Sequence, residues 1–235
     1  MLRRAAAELI GTALLLVAVV GSGIAAQRLS PSDPGLELLE NAVATGVALV
    51  AIILAVGSVS GAHLNPLVSV TDWALGGLRS AELAAYCAAQ AIGAVAGAVI
   101  ANLMFSLPAV ALSEHARGGG GLWLGEAVAT FGLLIVIFGV VRGGRAALAP
   151  VAVGAYITGA YFFTSSTSFA NPAVSVARML SNSFAGIAPS SVPAFVAFEV
   201  AGAVVAYAAI RLLWPRMREV AGSAVVPHAG SPEDL

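Results

Sequence analysis

Apolar residues run almost unbroken along this chain, and the few polar interruptions mark out its elements. Six stretches, roughly 5–26, 37–58, 80–104, 122–141, 147–165 and 192–214, are apolar enough to cross a bilayer as helices, which takes about 20 residues each. Between the second and third stretches, Ser60-Gly61-Ala62-His63-Leu64 leads into Asn65-Pro66-Leu67; between the fifth and sixth, Ser165-Ser166-Thr167-Ser168-Phe169-Ala170 leads into Asn171-Pro172-Ala173. Asn followed by Pro starts a helix: the Asn side chain caps it, and Pro takes the first turn, where its missing N–H costs nothing. Two further helix starts are thus expected at membrane depth. Non-helical backbone is tolerated there only where it lines a water-filled cavity or is buried in protein, so the pair predicts a pore or a transport site.

The two motifs lie 106 residues apart, and the pattern around them repeats. Glu8 precedes Gly11-Thr12 in the first span, and Glu126 precedes Ala129-Thr130 in the fourth. Each half has three spans with its Asn-Pro element after the second, and an odd number of spans forces the halves to insert in opposite directions. The expected organisation is one membrane channel domain over 1–235: a first repeat at 1–104, a connecting loop at 105–121, an inverted second repeat at 122–214 and a flexible cytoplasmic tail at 215–235. Inverted repeats place their broken helices at the midplane. Two helix N-termini, each with roughly half a positive charge, would then face one point and repel cations and protons. The amides of Asn65 and Asn171 offer donors, and the carbonyls of 60–64 and 166–170 a ladder of acceptors. A permeant should therefore carry hydroxyls and no charge.

Composition agrees with the pattern: 59% apolar residues, 10% charged residues and a mean hydropathy of +0.94 exclude a soluble domain. Every basic residue is Arg. Arg3, Arg4, Arg79, Arg142, Arg145, Arg211, Arg216 and Arg218 fall on one side of the six-span topology, and Arg28, Arg117 and Arg178 on the other. The positive-inside rule then puts both termini in the cytoplasm, as expected of a multi-pass protein of a bacterial inner membrane. Arg3 and Arg4 ahead of the first apolar run resemble a signal peptide, but the run is too long and holds Glu8, so it reads as a span. A net charge of −1 and the absence of any basic run argue against nucleic acid. Cys87 reads as a packing residue, and His63, His115 and His228 lack metal-ligand spacing. No metal, cofactor or catalytic constellation is expected, and the chain does not read as an enzyme.

Ser60-Gly61-Ala62-His63-Leu64-Asn65-Pro66 and Asn171-Pro172-Ala173 resemble the signatures of the major intrinsic protein family, the aquaporins and aquaglyceroporins. Gln90 with Gly93 in the third span, and a Glu in the first span of each half, add to the likeness, which covers almost the whole chain. The resemblance implies an all-α membrane fold of six transmembrane helices plus two re-entrant half-helices, usually a homotetramer with one pore per subunit. Leu67 departs from the family's usual Ala. Glu8 and Glu126, with His63 as a further supporting residue, are read as holding the broken backbone in place rather than as proton carriers. Glu199 has no visible counterpart.

Family selectivity rests largely on four positions, which counting from the Asn residues places on Thr45, Gly159, Ser168 and Val174. Val174 stands where an Arg is usual, so the filter is expected to be wide, uncharged and short of aromatic walls. Arg178, one turn beyond Val174, is assigned to the outer vestibule or to a polar loop group. The run from Ser165 to Val174, continuing to Pro189, resembles bacterial aquaglyceroporin-like channels encoded with arsenic-resistance genes. That likeness implies passive permeation by arsenous acid and other arsenicals, with glycerol and water as co-permeants. A general glycerol or water facilitator, an ion-conducting pore and a non-conducting structural membrane protein are the alternatives.

Overall fold

The computed structural model describes residues 1–215, all helix and connecting loop. Its helices are α1 (Leu2–Leu29), α2 (Pro34–Ser60), α3 (Pro66–Leu75), α4 (Ser80–Met104), α5 (Gly120–Arg142), α6 (Ala149–Phe163), α7 (Pro172–Arg178) and α8 (Val192–Leu213). Six of these segments are long and apolar enough to span a bilayer, α6 counted with the short 3-10 turn Ala146–Leu148 that leads into it. The two others, α3 and α7, are the half-helices that follow the Asn-Pro motifs. The six spans read from the pattern coincide with the long helices to within a few residues. The proposed tail, with Arg216 and Arg218, lies outside the described residues except for Pro215.

Local chemistry explains where these helices begin and end. Asp33 caps α2 by accepting a bond from the Leu36 N–H at 3.0 Å, Pro34 opens it, and Gly61 closes it in the left-handed region at φ 88°. Pro66 and Pro172 open the half-helices, and Gly76 ends α3 at φ 94°. In each half the first and last helices pack together, α1 on α4 and α5 on α8, while α2 meets α6 across the two halves. The halves correspond helix for helix, α1–α4 to α5–α8. Three crossings per half make the repeat inverted.

Glycine permits a close helix crossing in each half. A Cβ added at Gly93 on α4 would lie 2.3 Å from the Leu9 carbonyl oxygen of α1; one added at Gly202 on α8 would lie 2.3 Å from the Ala127 carbonyl oxygen of α5. Small residues at such crossings let membrane helices approach backbone to backbone. The loop after α4 then binds the second half: Ala111 N–H donates to Leu180 O at 3.0 Å, Ser113 N–H to Met179 O at 2.9 Å, and Arg117 Nε to Gly186 O at 2.9 Å.

Gly93→Ala is expected to destabilise the protein by about 1–3 kcal/mol, as overpacking of a tight contact does. Its thermal denaturation midpoint in detergent should fall. Gly118→Ala, whose new Cβ meets nothing within 4 Å, should leave the midpoint unchanged.

Candidate functional site

The N-termini of α3 and α7 meet in the interior, where two asparagines tie the halves together. Asn65 Oδ1 accepts the Leu67 N–H at 2.9 Å and so caps α3, while its Nδ2 donates to the Ala170 carbonyl at 2.8 Å. Asn171 mirrors it: Oδ1 accepts from the Ala173 and Val174 N–H groups at 3.0 and 3.4 Å, and Nδ2 donates to the Leu64 carbonyl at 2.8 Å. Each amide has two N–H groups, so each commits one to the opposite loop and keeps one. The Leu64 and Ala170 carbonyls are engaged by these ties, and Ser60 O accepts Tyr86 Oη–H at 2.7 Å. The acceptor ladder open to a permeant is therefore shorter than the full run of carbonyls.

The loops that lead into the half-helices hold an unfavourable shape. Ala62 and Leu64 lie in the left-handed region at φ 49° and 51°, as do Thr167, Ser168 and Ala170 at 65°, 52° and 49°. For residues with a Cβ this costs roughly 1–2 kcal/mol each. Two buried carboxylates offset that cost. Glu8 on α1 accepts from Ser60 Oγ–H at 2.6 Å and from the N–H groups of His63 at 2.9 Å and Leu64 at 2.7 Å, with Gln90 Nε2 at 2.9 Å. Glu126 on α5 accepts from the N–H groups of Phe169 at 2.9 Å and Ala170 at 2.7 Å. Neither glutamate lines the central cavity. His63 does; its Nδ1 lies 3.0 Å from Ser69 Oγ and its Nε2 3.7 Å from Oδ2 of the buried Asp72.

Glu199 has a counterpart that the sequence conceals. Its Oε1 accepts from Ser175 Oγ–H at 2.6 Å and from Asn171 N–H at 3.3 Å. In the first half, Gln90 Nε2 donates to Ser69 Oγ at 3.0 Å, and Ser69 and Ser175 each lie four residues beyond their Asn. Gln90 reaches Ser69 and Glu8 in the first half as Glu199 reaches Ser175 and the Asn171 N–H in the second. Gln and Glu stand 25 and 28 residues after their respective Asn. The unequal spacing and the change of residue type hide the match.

A cavity of about 60 Å³ runs through the site. One water needs roughly 10–15 Å³ measured this way, so several waters or a small polyol fit. Leu49, Ile53, Val153 and Ile157 form apolar wall; His63, Asn65 and Asn171 supply polar groups at the centre and on the α3 side. On the α7 side the lining includes Thr45, Tyr161, Ser168, Val174 and Arg178.

Gly159 is not among the lining residues: it is exposed on the outer face of α6. Ile157 and Tyr161, four residues apart, share the inward face, and Gly159 sits about 200° around the helix from either. Counting back from Asn171 fails because helix phase, not distance from the loop, decides what faces the passage. Tyr161 occupies this side instead, and its hydroxyl donates to Thr45 Oγ1 at 3.2 Å. The α7 side of the cavity thus has an aromatic wall, contrary to the expectation from counting.

Arg178 also corrects the sequence reading. It is 2% exposed, its Nε donates to the Ala185 carbonyl, and its guanidinium carbon lies 3.4 Å from the centre of the Phe169 ring. A loop group does hold it, as expected, but in the cavity wall rather than in an outer vestibule. Residues four apart share a helix face, so Arg178 presents a positive charge beside Val174 and this side of the cavity is not uncharged.

The family model described as Major intrinsic protein matches residues 1–168. Over 218 residues the chain is 48% identical to aquaglyceroporin AqpS of Rhizobium meliloti (strain 1021), covering 93% of each chain. It is 32% identical to Aquaporin Z of Photorhabdus laumondii subsp. laumondii over 169 residues, 66% of this chain and 72% of that one. The X-ray structure of the aquaglyceroporin from Plasmodium falciparum superposes with a TM-score of 0.73 over 92% of this chain and 98% of its own, at 20% identity, which shows a shared fold.

Glu8→Ala leaves a hydroxyl, an amide and two backbone N–H groups without an acceptor, at about 1–3 kcal/mol for each buried group, and should abolish recovery of folded protein from detergent. Glu199→Gln places the first-half amide in the second half. It is expected to fold and to keep the wild-type thermal midpoint, whereas a large drop would contradict the pairing of Glu199 with Gln90.

Proposed function

Since the chain belongs to the major intrinsic protein family, we propose that it is a passive membrane channel for small neutral polar solutes, with arsenous acid as favoured permeant and glycerol and water as co-permeants. The observation that carries this reading is the pair of reciprocal asparagine ties at the centre of the cavity. They fix two helix N-termini at one point, so a permeating cation meets two positive dipole ends. A solute with hydroxyls finds an amide donor from each asparagine. The relatives are named as aquaglyceroporins, and the chain is not an enzyme.

The choice of arsenous acid rests on Val174 and on the likeness of the Ser165–Val174 run to channels encoded with arsenic-resistance genes. Arsenous acid is a compact neutral trihydroxide that presents its hydroxyls much as glycerol does. Similarity to an aquaglyceroporin over 93% of the chain supports polyol permeation. A general glycerol or water facilitator is the second reading. Tyr161 and Arg178 favour it, because they return an aromatic and an arginine to the α7 side. We further infer a homotetramer, which the family resemblance implies, and one channel domain formed by both repeats, in a bacterial inner membrane with both termini cytoplasmic, an orientation supported by the arginine distribution.

Proteoliposomes should reswell faster than empty vesicles in isosmotic arsenous acid and in glycerol. Val174→Arg adds a second guanidinium beside Arg178 and should slow arsenous acid influx by at least about tenfold, the effect of ~1.4 kcal/mol on a barrier. Influx at the empty-vesicle rate for arsenous acid, with rapid glycerol influx, would replace the arsenous acid assignment with the general facilitator.

A further inference from the structure

We propose that Arg178 supplies the charged donor of this filter from one helical turn beyond Val174, and that with Tyr161 and Ser168 it forms a subsite selecting solutes by their number of hydroxyls. The inference rests on the channel reading above and concerns how that channel discriminates. Among the described residues, the Arg178 side chain makes one hydrogen bond, from Nε to the Ala185 carbonyl, and no ion pair. Its two terminal nitrogens carry four N–H groups, and none has an acceptor among the described residues. A buried cation without a carboxylate partner is costly. The face of Phe169 at 3.4 Å offsets part of that cost, and hydrogen bonds to cavity contents can supply the rest.

Acceptors line the same cavity. Ser168 Oγ is buried and has no hydrogen-bond partner, although Ser168 lines the passage. Tyr161 Oη gives its proton to Thr45 and keeps acceptor capacity. An orphaned hydroxyl and an orphaned guanidinium end beside one cavity call for a ligand that both donates and accepts. A polyol does so at each hydroxyl. A solute of similar size with one hydroxyl fewer leaves one of these buried groups unpaired, and sites built on hydrogen bonds penalise such a loss far more than apolar pockets penalise a lost methylene. A charged donor also remains in the pore although residue 174 is Val.

The test compares glycerol with 1,3-propanediol in proteoliposome reswelling, for wild type, Arg178→Gln and Ser168→Ala. Ser168 Oγ donates to no protein group, so Ser168→Ala should fold even if loss of the Arg178 tie to Ala185 is not tolerated. Circular dichroism and gel filtration check both variants. The glycerol-to-propanediol ratio should fall at least about tenfold in Arg178→Gln and at least about twofold in Ser168→Ala, the lower ends of what a charged and a neutral hydrogen bond contribute. A purely structural role would lower both fluxes together and leave the ratio unchanged; that result in the folded variants, or in Ser168→Ala alone if Arg178→Gln does not fold, overturns the proposal. Wild-type flux no faster than empty vesicles for both solutes would instead remove the channel reading and this subsite with it.

Discussion

Everything at the centre of this protein depends on backbone that is not helical yet lies at membrane depth. Such backbone survives only if its polar groups find partners inside the protein. Here the partners come in two layers. Buried Glu8 and Glu126 take the N–H groups of the two loops, and Asn65 and Asn171 each cap their own half-helix while donating to the loop of the other. The second layer makes the halves interdependent. Neither loop can move without releasing a bond held by the opposite half, so the meeting point of the half-helices is fixed in position.

Close crossing of the outer helices makes these interior contacts possible. Gly93 and Gly202 stand three residues after Gln90 and Glu199 on α4 and α8. The glycine brings each helix against its partner backbone, and the neighbouring amide or carboxyl group reaches Ser69 or Ser175 on the half-helix. One surface of each helix therefore serves both packing and polar satisfaction. The two halves solve the same geometric problem with different chemistry, a neutral amide in one and a second carboxyl group in the other.

Much of this was legible in the sequence because it follows from local rules. The spans announce themselves by length and hydropathy, and the half-helices by Asn-Pro after a polar run. Glu8 and Glu126 stand out as ionisable residues inside spans. What was not legible depends on tertiary placement. Counting along the loop points to Gly159, whereas the phase of α6 turns Tyr161 inward. Arg178 reads from sequence as a vestibule or loop-held residue, and the loop carbonyl of Ala185 does hold it; sequence does not show the Phe169 ring keeping it in the cavity wall. Asp72, beside His63, gave no pattern signal at all. Each miss is a residue whose role depends on which neighbour covers it.

The central claim is that two opposed helix N-termini, fixed by reciprocal asparagine ties, make a passage for neutral solutes that excludes ions. Its most direct test measures ionic conductance in planar bilayers from the same reconstituted preparation that passes glycerol in vesicles. The account predicts glycerol flux well above the protein-free rate with a conductance no greater than that of the bare bilayer. Glycerol flux accompanied by discrete sodium or potassium currents would contradict it.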